Sequence, residues 1–222
     1  MLIEVNEKNT KERSCRNGQL KGITVICRVF IISLGMLLIF CITGMPGSGK
    51  SVVSETAKSL GFRIVAMGDI IRDEAEARGI KMTPSSLGAL MLELRREEGQ
   101  DVVAKRCLAK IHKRDGLVII EGLRSPEELY YLKNNAEVLL IAVHASPATR
   151  FTRLLKRGRP DDPKDYATFR ERDQRELKLG LGSVIAQADK LFINEGTLGG
   201  LRRSASRYFE GIQSGSARAS GS

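Results

Sequence analysis

The sequence predicts a three-layer α/β fold: a parallel sheet of about five strands, helices on both faces, a helical insertion after the second strand and a short arginine-bearing lid. Three observations predict it. Five short aliphatic runs, Leu37–Thr43, Arg63–Met67, Leu117–Ile120, Val138–Val143 and Lys190–Ile193, alternate with segments that carry helix punctuation. The runs are continuously apolar rather than alternating, as strands buried on both faces of a parallel sheet must be. Between the first run and the helix after it stands a glycine-rich octet, Gly44-Met45-Pro46-Gly47-Ser48-Gly49-Lys50-Ser51.

The chain has 222 residues, enough for one such domain and too few for two. Tryptophan is absent and aromatics are 5%, so the core rests on Leu, Ile, Val, Ala and Met. Residues 1–22 are polar and without periodicity, which predicts disorder. The apolar stretch Ile23–Ile42 approaches the length of a membrane helix, but Arg28 interrupts it, and its last part is needed as the first strand. The expectation is therefore no membrane span, with residues 1–35 a disordered or mis-started extension, a domain over 36–213 beginning at Met36, and a flexible Gly/Ser-rich tail over 214–222.

Along the domain, Met36–Thr43 supplies the first strand and Lys50 opens the first helix. After the second run, Thr83-Pro84 starts a helix whose Leu87, Leu90, Met91 and Leu94 share one face and which Gly99 can end. Ser125-Pro126-Glu127-Glu128 after the third run is a capping box with proline at the first helical position, and Ser146-Pro147 repeats the cap after the fourth.

The octet fits the pattern G-x-x-x-x-G-K-[ST], a phosphate-binding P-loop in a P-loop NTPase fold. Glycines let the backbone turn its N–H groups toward phosphate oxygens, and the following helix adds its positive end. Lys50 is expected on the β- and γ-phosphates of ATP and the Ser51 hydroxyl on Mg²⁺. Glu121, after the third run, suits the second magnesium position; the plain alternative is a strand-end acid in solvent. Asp69 follows the second run and either orients an acceptor or caps the next helix, and Arg72 one turn on suits an acceptor phosphate. Arg150, Arg153, Arg157 and Arg159 cluster before Pro160-Asp161-Asp162, and Arg170, Arg172 and Arg175 follow. Phosphoryl transfer needs several guanidiniums around the moving group. Interleaved Glu171, Asp173 and Glu176 allow the opposite reading of a solvated, salt-bridged face, which suits Arg170 and Arg175 but not Arg157 and Arg159.

The net charge of +10 permits nucleic acid or small polyanions as partners; without a Lys/Arg block or aromatic stripe, nucleotide phosphates are favoured. Cys15, Cys27, Cys41 and Cys107 form no CxxC pair and, with His112 and His144, no zinc spacing, which predicts reduced cysteines in a cytoplasmic protein.

From Met36 to about Leu201 the chain resembles the nucleoside monophosphate kinases, adenylate kinase above all and dephospho-CoA kinase more distantly, and is most similar to archaeal proteins described as adenylate-kinase-related. The family's G-D-x-L-R is similar to Gly68-Asp69-Ile70-Ile71-Arg72, and its D-G-F-P-R to Glu121-Gly122-Leu123-Arg124. Its lid, R-x-x-x-R, R-x-D-D and a later arginine, resembles Arg153 and Arg157, Arg159-Pro160-Asp161-Asp162, and Arg172. The resemblance implies ATP held by the loop, Arg153 and Asn194 (in Asn194-Glu195-Gly196-Thr197), an acceptor held by Arg72, Arg124 and Arg172, and catalysis by Lys50, Arg157, Arg159 and Asp69. Met67 replaces the family's threonine, Glu128 replaces the glutamine that reads adenine, and the lid is shortened, so AMP does not follow as acceptor. Two readings stay open: an ATP-dependent kinase of a small nucleotide-like acceptor, or a slow ATPase acting as a switch or assembly factor with an RNA or protein partner.

Overall fold

A computed structural model describes residues 37–159 and 162–219 of the chain. The expected extension over 1–35 and the start at Met36 lie outside the described residues. Strands β1 (Leu38–Thr43), β2 (Arg63–Ala66), β3 (Val118–Leu123), β4 (Glu137–His144) and β5 (Lys190–Ile193) form one sheet in the order β2-β3-β1-β4-β5, every pairing parallel. The P-loop strand β1 is central, with Ile42 beside Glu121 of β3 and Thr43 beside Ala142 of β4.

The two faces of β1 divide the core. Ile39 and Cys41 join Val118, Ile120, Val138 and Leu140 beneath Leu90, Leu94, Val103, Leu129, Leu132 and Val184. Phe40 and Ile42 join Ile119, Ile141, Val143 and Phe192 beneath Val53, Ala57, Phe62, Leu201, Ala205 and Phe209. Alternate residues of a strand serve opposite layers, so a parallel strand with helices on both sides must be apolar throughout. On the second face Phe62 packs edge-on against Phe40 and Phe209, at centroid distances of 5.5 and 5.0 Å.

Helix α1 (Lys50–Ser59) follows the P-loop, and α2 (Met67–Ala77), α3 (Pro84–Glu98), α4 (Val102–Ala109) and a 3-10 turn (Lys113–Asp115) make the insertion between β2 and β3. Then come α5 (Pro126–Asn135), α6 (Pro147–Arg157), α7 (Tyr166–Lys178), α8 (Leu181–Ala186) and α9 (Leu198–Ala219). The punctuation read from sequence acts as expected. The Thr83 and Ser125 hydroxyls accept from the Ser86 and Glu128 amides in capping boxes, Ser146 caps α6, and Gly99 ends α3 at φ +104°.

Several strand ends shift by a residue, and three boundaries differ in ways that matter. Met67 begins α2 rather than ending β2. β3 runs on to Leu123, past a register shift opposite Ile42 and Thr43, so Glu121 lies within the strand. Helix α9 continues to Ala219, so residues 214–219, expected as flexible tail, continue its helical backbone. The Gly/Ser composition there misled because a 22-residue helix already anchored by Leu201, Ala205, Phe209 and Ile212 needs only propagation, not nucleation, to extend. Among the described residues no helix is long and apolar enough to cross a membrane.

Candidate active site

The P-loop turns between β1 and α1 with its glycines in conformations and spaces closed to other residues. Gly44 has φ +146° and a Cβ there would lie 2.3 Å from the Val143 carbonyl oxygen; Gly49 has φ +106° and would meet Asn194 Nδ2 at 2.4 Å. Helix α1 starts at Lys50 with no acid in its first turn and, unlike α3, α5 and α6, with no side-chain cap. Its opening amides and positive end are thus left to an anion.

Lys50 Nζ donates to the Gly44 and Met45 carbonyls at 2.7 and 3.2 Å, folded back over its own loop. Burial, then the Arg124 guanidinium, pushes its ammonium down to about 8, opposed by Glu176 and Glu121, with Arg172 adding to the depression. The charges that act on this buried ammonium are thus those of Arg124, Glu176, Glu121 and Arg172. They arrive from β3, the turn after it, and α7.

Two braces hold the loop from behind. Arg150 of α6, 3% exposed, donates to the Pro46 carbonyl at 3.2 Å and the Ala145 carbonyl at 3.1 Å, and grips Asp173 of α7 with both terminal nitrogens at 2.8 and 2.5 Å. Its guanidinium lies 5.0 Å from the centre of the Phe169 ring. Asn194, also buried, donates from Nδ2 to the Ser48 carbonyl at 2.8 Å and accepts from Arg153 at 3.3 Å. Expected at the donor base, Asn194 instead spends its side chain on the loop, and Arg153 bonds to it and to the Gly196 carbonyl. Glu195 ties the β5 end to α6 through Ser146 and Thr149; these bonds hold its carboxyl below the usual range. Beyond Asn194 a groove of about 750 Å³ opens along β5 and α9, lined by Gly196, Thr197, Ser204, Arg207 and Tyr208.

The residues expected around an acceptor are tied up in ion pairs. Arg124 Nη1 donates to Glu176 Oε1 at 2.9 Å; the arginine is half exposed and the glutamate buried. Arg157 grips the buried Asp162 through both Nε (2.8 Å) and Nη2, the Arg159 amide donates to the same carboxylate at 3.0 Å, and Arg172 lies 3.7 Å away. Arg157 first, then the Arg159 amide, hold the Asp162 carboxyl below its ordinary range. The side chain of Arg159 is exposed, as are those of Arg170 and Arg175. Asp69, expected to orient an acceptor, sits exposed in the first turn of α2, paired with the equally exposed Arg72. Glu128, at the position of the adenine-reading glutamine, is 1% exposed and bonded to Arg95 at 2.6 Å and to the Arg124 and Ser125 amides, so it faces no base. Ser51 is exposed at the start of α1, and Glu121 is half buried beside Ile42 on the sheet. A hydroxyl and a carboxylate are the hard oxygen donors magnesium takes from protein when phosphates and water complete its shell, so this pair fits that ion.

Asp173 and Glu176 were the residues hardest to find by sequence, hidden in a charged helix. One signal marks them: with Phe169 they stand at i, i+4 and i+7, one stripe of α7, and Phe169 is buried. Among the described residues no His/Cys/Asp/Glu group could hold a metal by itself; Cys41 and Cys107 are free and buried, burial raising both thiols, Cys107 to about 12.

A family model described as an AAA domain matches residues 43–170, from the end of β1 into α7. The chain is 48% identical over 159 residues to a UPF0200 protein of Hyperthermus butylicus, covering 71% of this chain and 86% of the relative. The chain belongs to the AAA-domain family and to the UPF0200 proteins. A second member, from Thermococcus sibiricus, is 45% identical over 179 residues, covering 78% of this chain and 94% of the relative. Among solved structures, shikimate kinase from Bacteroides thetaiotaomicron superposes with a TM-score of 0.52 at 17% identity, covering 81% of this chain and 99% of its own. Shikimate kinase from Acinetobacter baumannii, in complex with shikimate, gives 0.51 at 16% identity, covering 81% and 94%. These likenesses establish a P-loop, kinase-like fold.

Proposed function

We propose that this protein is a magnesium-dependent phosphotransferase that moves the γ-phosphoryl of ATP to a small nucleotide-like acceptor. One observation carries the reading: the loop is braced by Arg150 and Asn194 and opens on a helix start with neither cap nor acid, the arrangement that phosphoryl transfer requires for its phosphates. A simple nucleotide-binding switch needs the loop and the metal carboxylate, but not a second, arginine-bearing wall.

In this reading the amides of Gly47 to Ser51 and the Lys50 ammonium bind the phosphates. Ser51 and Glu121 hold Mg²⁺, which when bound offsets charge on the β- and γ-phosphates. The groove beyond Asn194 accommodates the donor base, and Arg153 acts through Asn194 to keep the loop in shape. Arg124 binds an anionic part of the acceptor, with Arg72 and Arg172 flanking it. Arg157, once Asp162 releases it, and the exposed Arg159 approach the transferring group, which also excludes water. Glu128, locked on Arg95, supports the departure from adenylate kinase: the acceptor is not selected by its adenine there.

The second reading, a slow ATPase switch with an RNA or protein partner, is favoured by one feature: Arg72, Arg124, Arg157 and Arg172 all already have carboxylates to face. Incubation with Mg-ATP and a panel of AMP, CMP, UMP, GMP and dephospho-CoA, with products resolved by mass, separates the two. A phosphorylated acceptor, lost with Lys50→Ala and made at much higher acceptor KM with Arg124→Ala, supports the kinase. ADP and free phosphate without any modified acceptor refutes it in favour of the switch.

A further inference from the structure

Glu128 does more than a capping box asks of it. The third residue of a helix needs only a surface carboxylate to reach back to the N-cap amide. Glu128 is instead 1% exposed, and its two oxygens have separate partners. Oε1 accepts from Arg95 Nη2 at 2.6 Å, and Oε2 accepts from the Ser125 amide at 3.2 Å and also from the Arg124 amide at 2.9 Å. Arg95 is 4% exposed and comes from α3, whose Leu90 and Leu94 share a core with Leu129 and Leu132 of α5. A buried ion pair is no more stabilising than apolar side chains of the same volume, and its best-attested use is to fix one geometry.

The geometry fixed here is that of a single peptide unit. Arg124 lies one residue beyond the end of β3 and past its register shift, where the ladder to β1 no longer holds the backbone. Two side chains hold it instead. The Thr43 hydroxyl donates to the Leu123 carbonyl at 2.8 Å, and Glu128 accepts from the Arg124 amide on the other side of the same planar unit. Thr43 is the last residue of β1, directly before Gly44 of the P-loop. The peptide that carries Arg124 is therefore tied at one end to the P-loop strand and at the other to α5 and α3. The half-exposed guanidinium beyond it rests on Glu176.

We propose that Glu128, held by Arg95, is a positioning residue of the transfer reaction: it fixes the Arg124 peptide against the P-loop strand and so aims the Arg124 guanidinium at an anionic group of the acceptor. This rests on the phosphotransfer reading and deepens it. The position that resembles adenylate kinase's base-reading glutamine serves here to place a charge, so at this point the acceptor is selected by its anion and not by its base. A long side chain delivers its end group only as accurately as its backbone is held, and a small displacement of a binding group lowers its contribution steeply.

The test uses the full chain with Mg-ATP and each of AMP, CMP, UMP, GMP and dephospho-CoA, measuring KM and kcat for the acceptors used, and amide hydrogen exchange at Arg124. Arg95→Met with Glu128→Gln removes both charges but keeps an oxygen for the two amides. Arg95→Met with Glu128→Leu removes both charges and the oxygen, at similar volume. The first pair should keep slow exchange at Arg124 and an acceptor KM within about threefold of the parent. The second should exchange there about tenfold faster or more and raise acceptor KM about tenfold, with kcat and the KM for ATP within about threefold. Ser125→Ala breaks the other half of the capping box and leaves the Arg124 amide bonded; it should lower Tm without moving acceptor KM. The same acceptor KM in both double variants, or unchanged exchange at Arg124 in the Leu variant, would overturn the proposal and leave the phosphotransferase standing. So would an acceptor KM that follows Tm through all three variants, the pattern of a merely structural pair. ADP and phosphate with no acceptor modified by the parent would overturn the phosphotransfer reading and this proposal with it.

Discussion

Replacing Arg150 by alanine removes a guanidinium from the best-connected buried position around the P-loop. Four hydrogen bonds go with it, two to Asp173 and one each to the Pro46 and Ala145 carbonyls, along with its packing on Phe169. Asp173 is only 14% exposed and would keep its charge with its partner gone. Breaking a buried ion pair from one side costs about 3–5 kcal/mol, because the stranded charge remains. For a domain of this size each kcal/mol is about 2–4 °C in Tm, so Arg150→Ala should melt about 6–20 °C lower by calorimetry. The loop should suffer separately: freed from Arg150, the Pro46 turn loses one of its two braces, and ATP affinity measured at a temperature where the variant is folded should fall about tenfold. Arg150→Met with Asp173→Leu removes both charges and should recover most of the stability but not the affinity, since nothing then holds the Pro46 carbonyl. A Tm change under 2 °C for Arg150→Ala, or an ATP affinity equal to that of the parent, would refute the bracing argument.

Two other outcomes follow from the same geometry. Lys50, with its ammonium brought down to about 8 by burial and then Arg124, is about nine-tenths protonated at pH 7 and about one-tenth at pH 9, so titration of a non-hydrolysable ATP analogue should show about tenfold weaker binding at pH 9. For folding the sign reverses: the unfolded lysine keeps its proton up to about 10.5, so unfolding takes up a proton between about pH 8 and 10.5, and this group's contribution to stability rises with pH across that window. Affinity constant within twofold from pH 7 to 9 would count against the depressed ammonium. Gly44→Ala forces a Cβ to 2.3 Å from the Val143 carbonyl at φ +146°, so the loop must move. It should cost about 1–3 kcal/mol in a chemical melt and abolish measurable ATP binding.

Much of this molecule was written locally. The octet at 44–51, the capping boxes at Thr83 and Ser125, the stop at Gly99 and the five aliphatic runs each depend on residues a few positions apart, and local sterics and hydrogen bonds decide them. That is why the five parallel strands and the helices between them followed from the sequence, while the order β2-β3-β1-β4-β5 and the ends of several elements, β2, β3 and α9 above all, did not. Charge was different. Arg150 and Asp173 are 23 residues apart, Arg95 and Glu128 33, and Arg124 and Glu176 52, and which arginine meets which acid depends on how α3, α5, α6 and α7 settle on the sheet. In a chain with 36 basic and 26 acidic residues, spacing alone allows many such partners. A charged helix looks solvated until packing buries one stripe of it, and only the tertiary structure brought Glu176 beside Arg124. The sequence by itself determined that this protein has a phosphate loop on a parallel sheet; the packing of α7 against that loop decided what stands opposite it, because desolvation and pairing of charges are properties of the assembled surface and not of the chain.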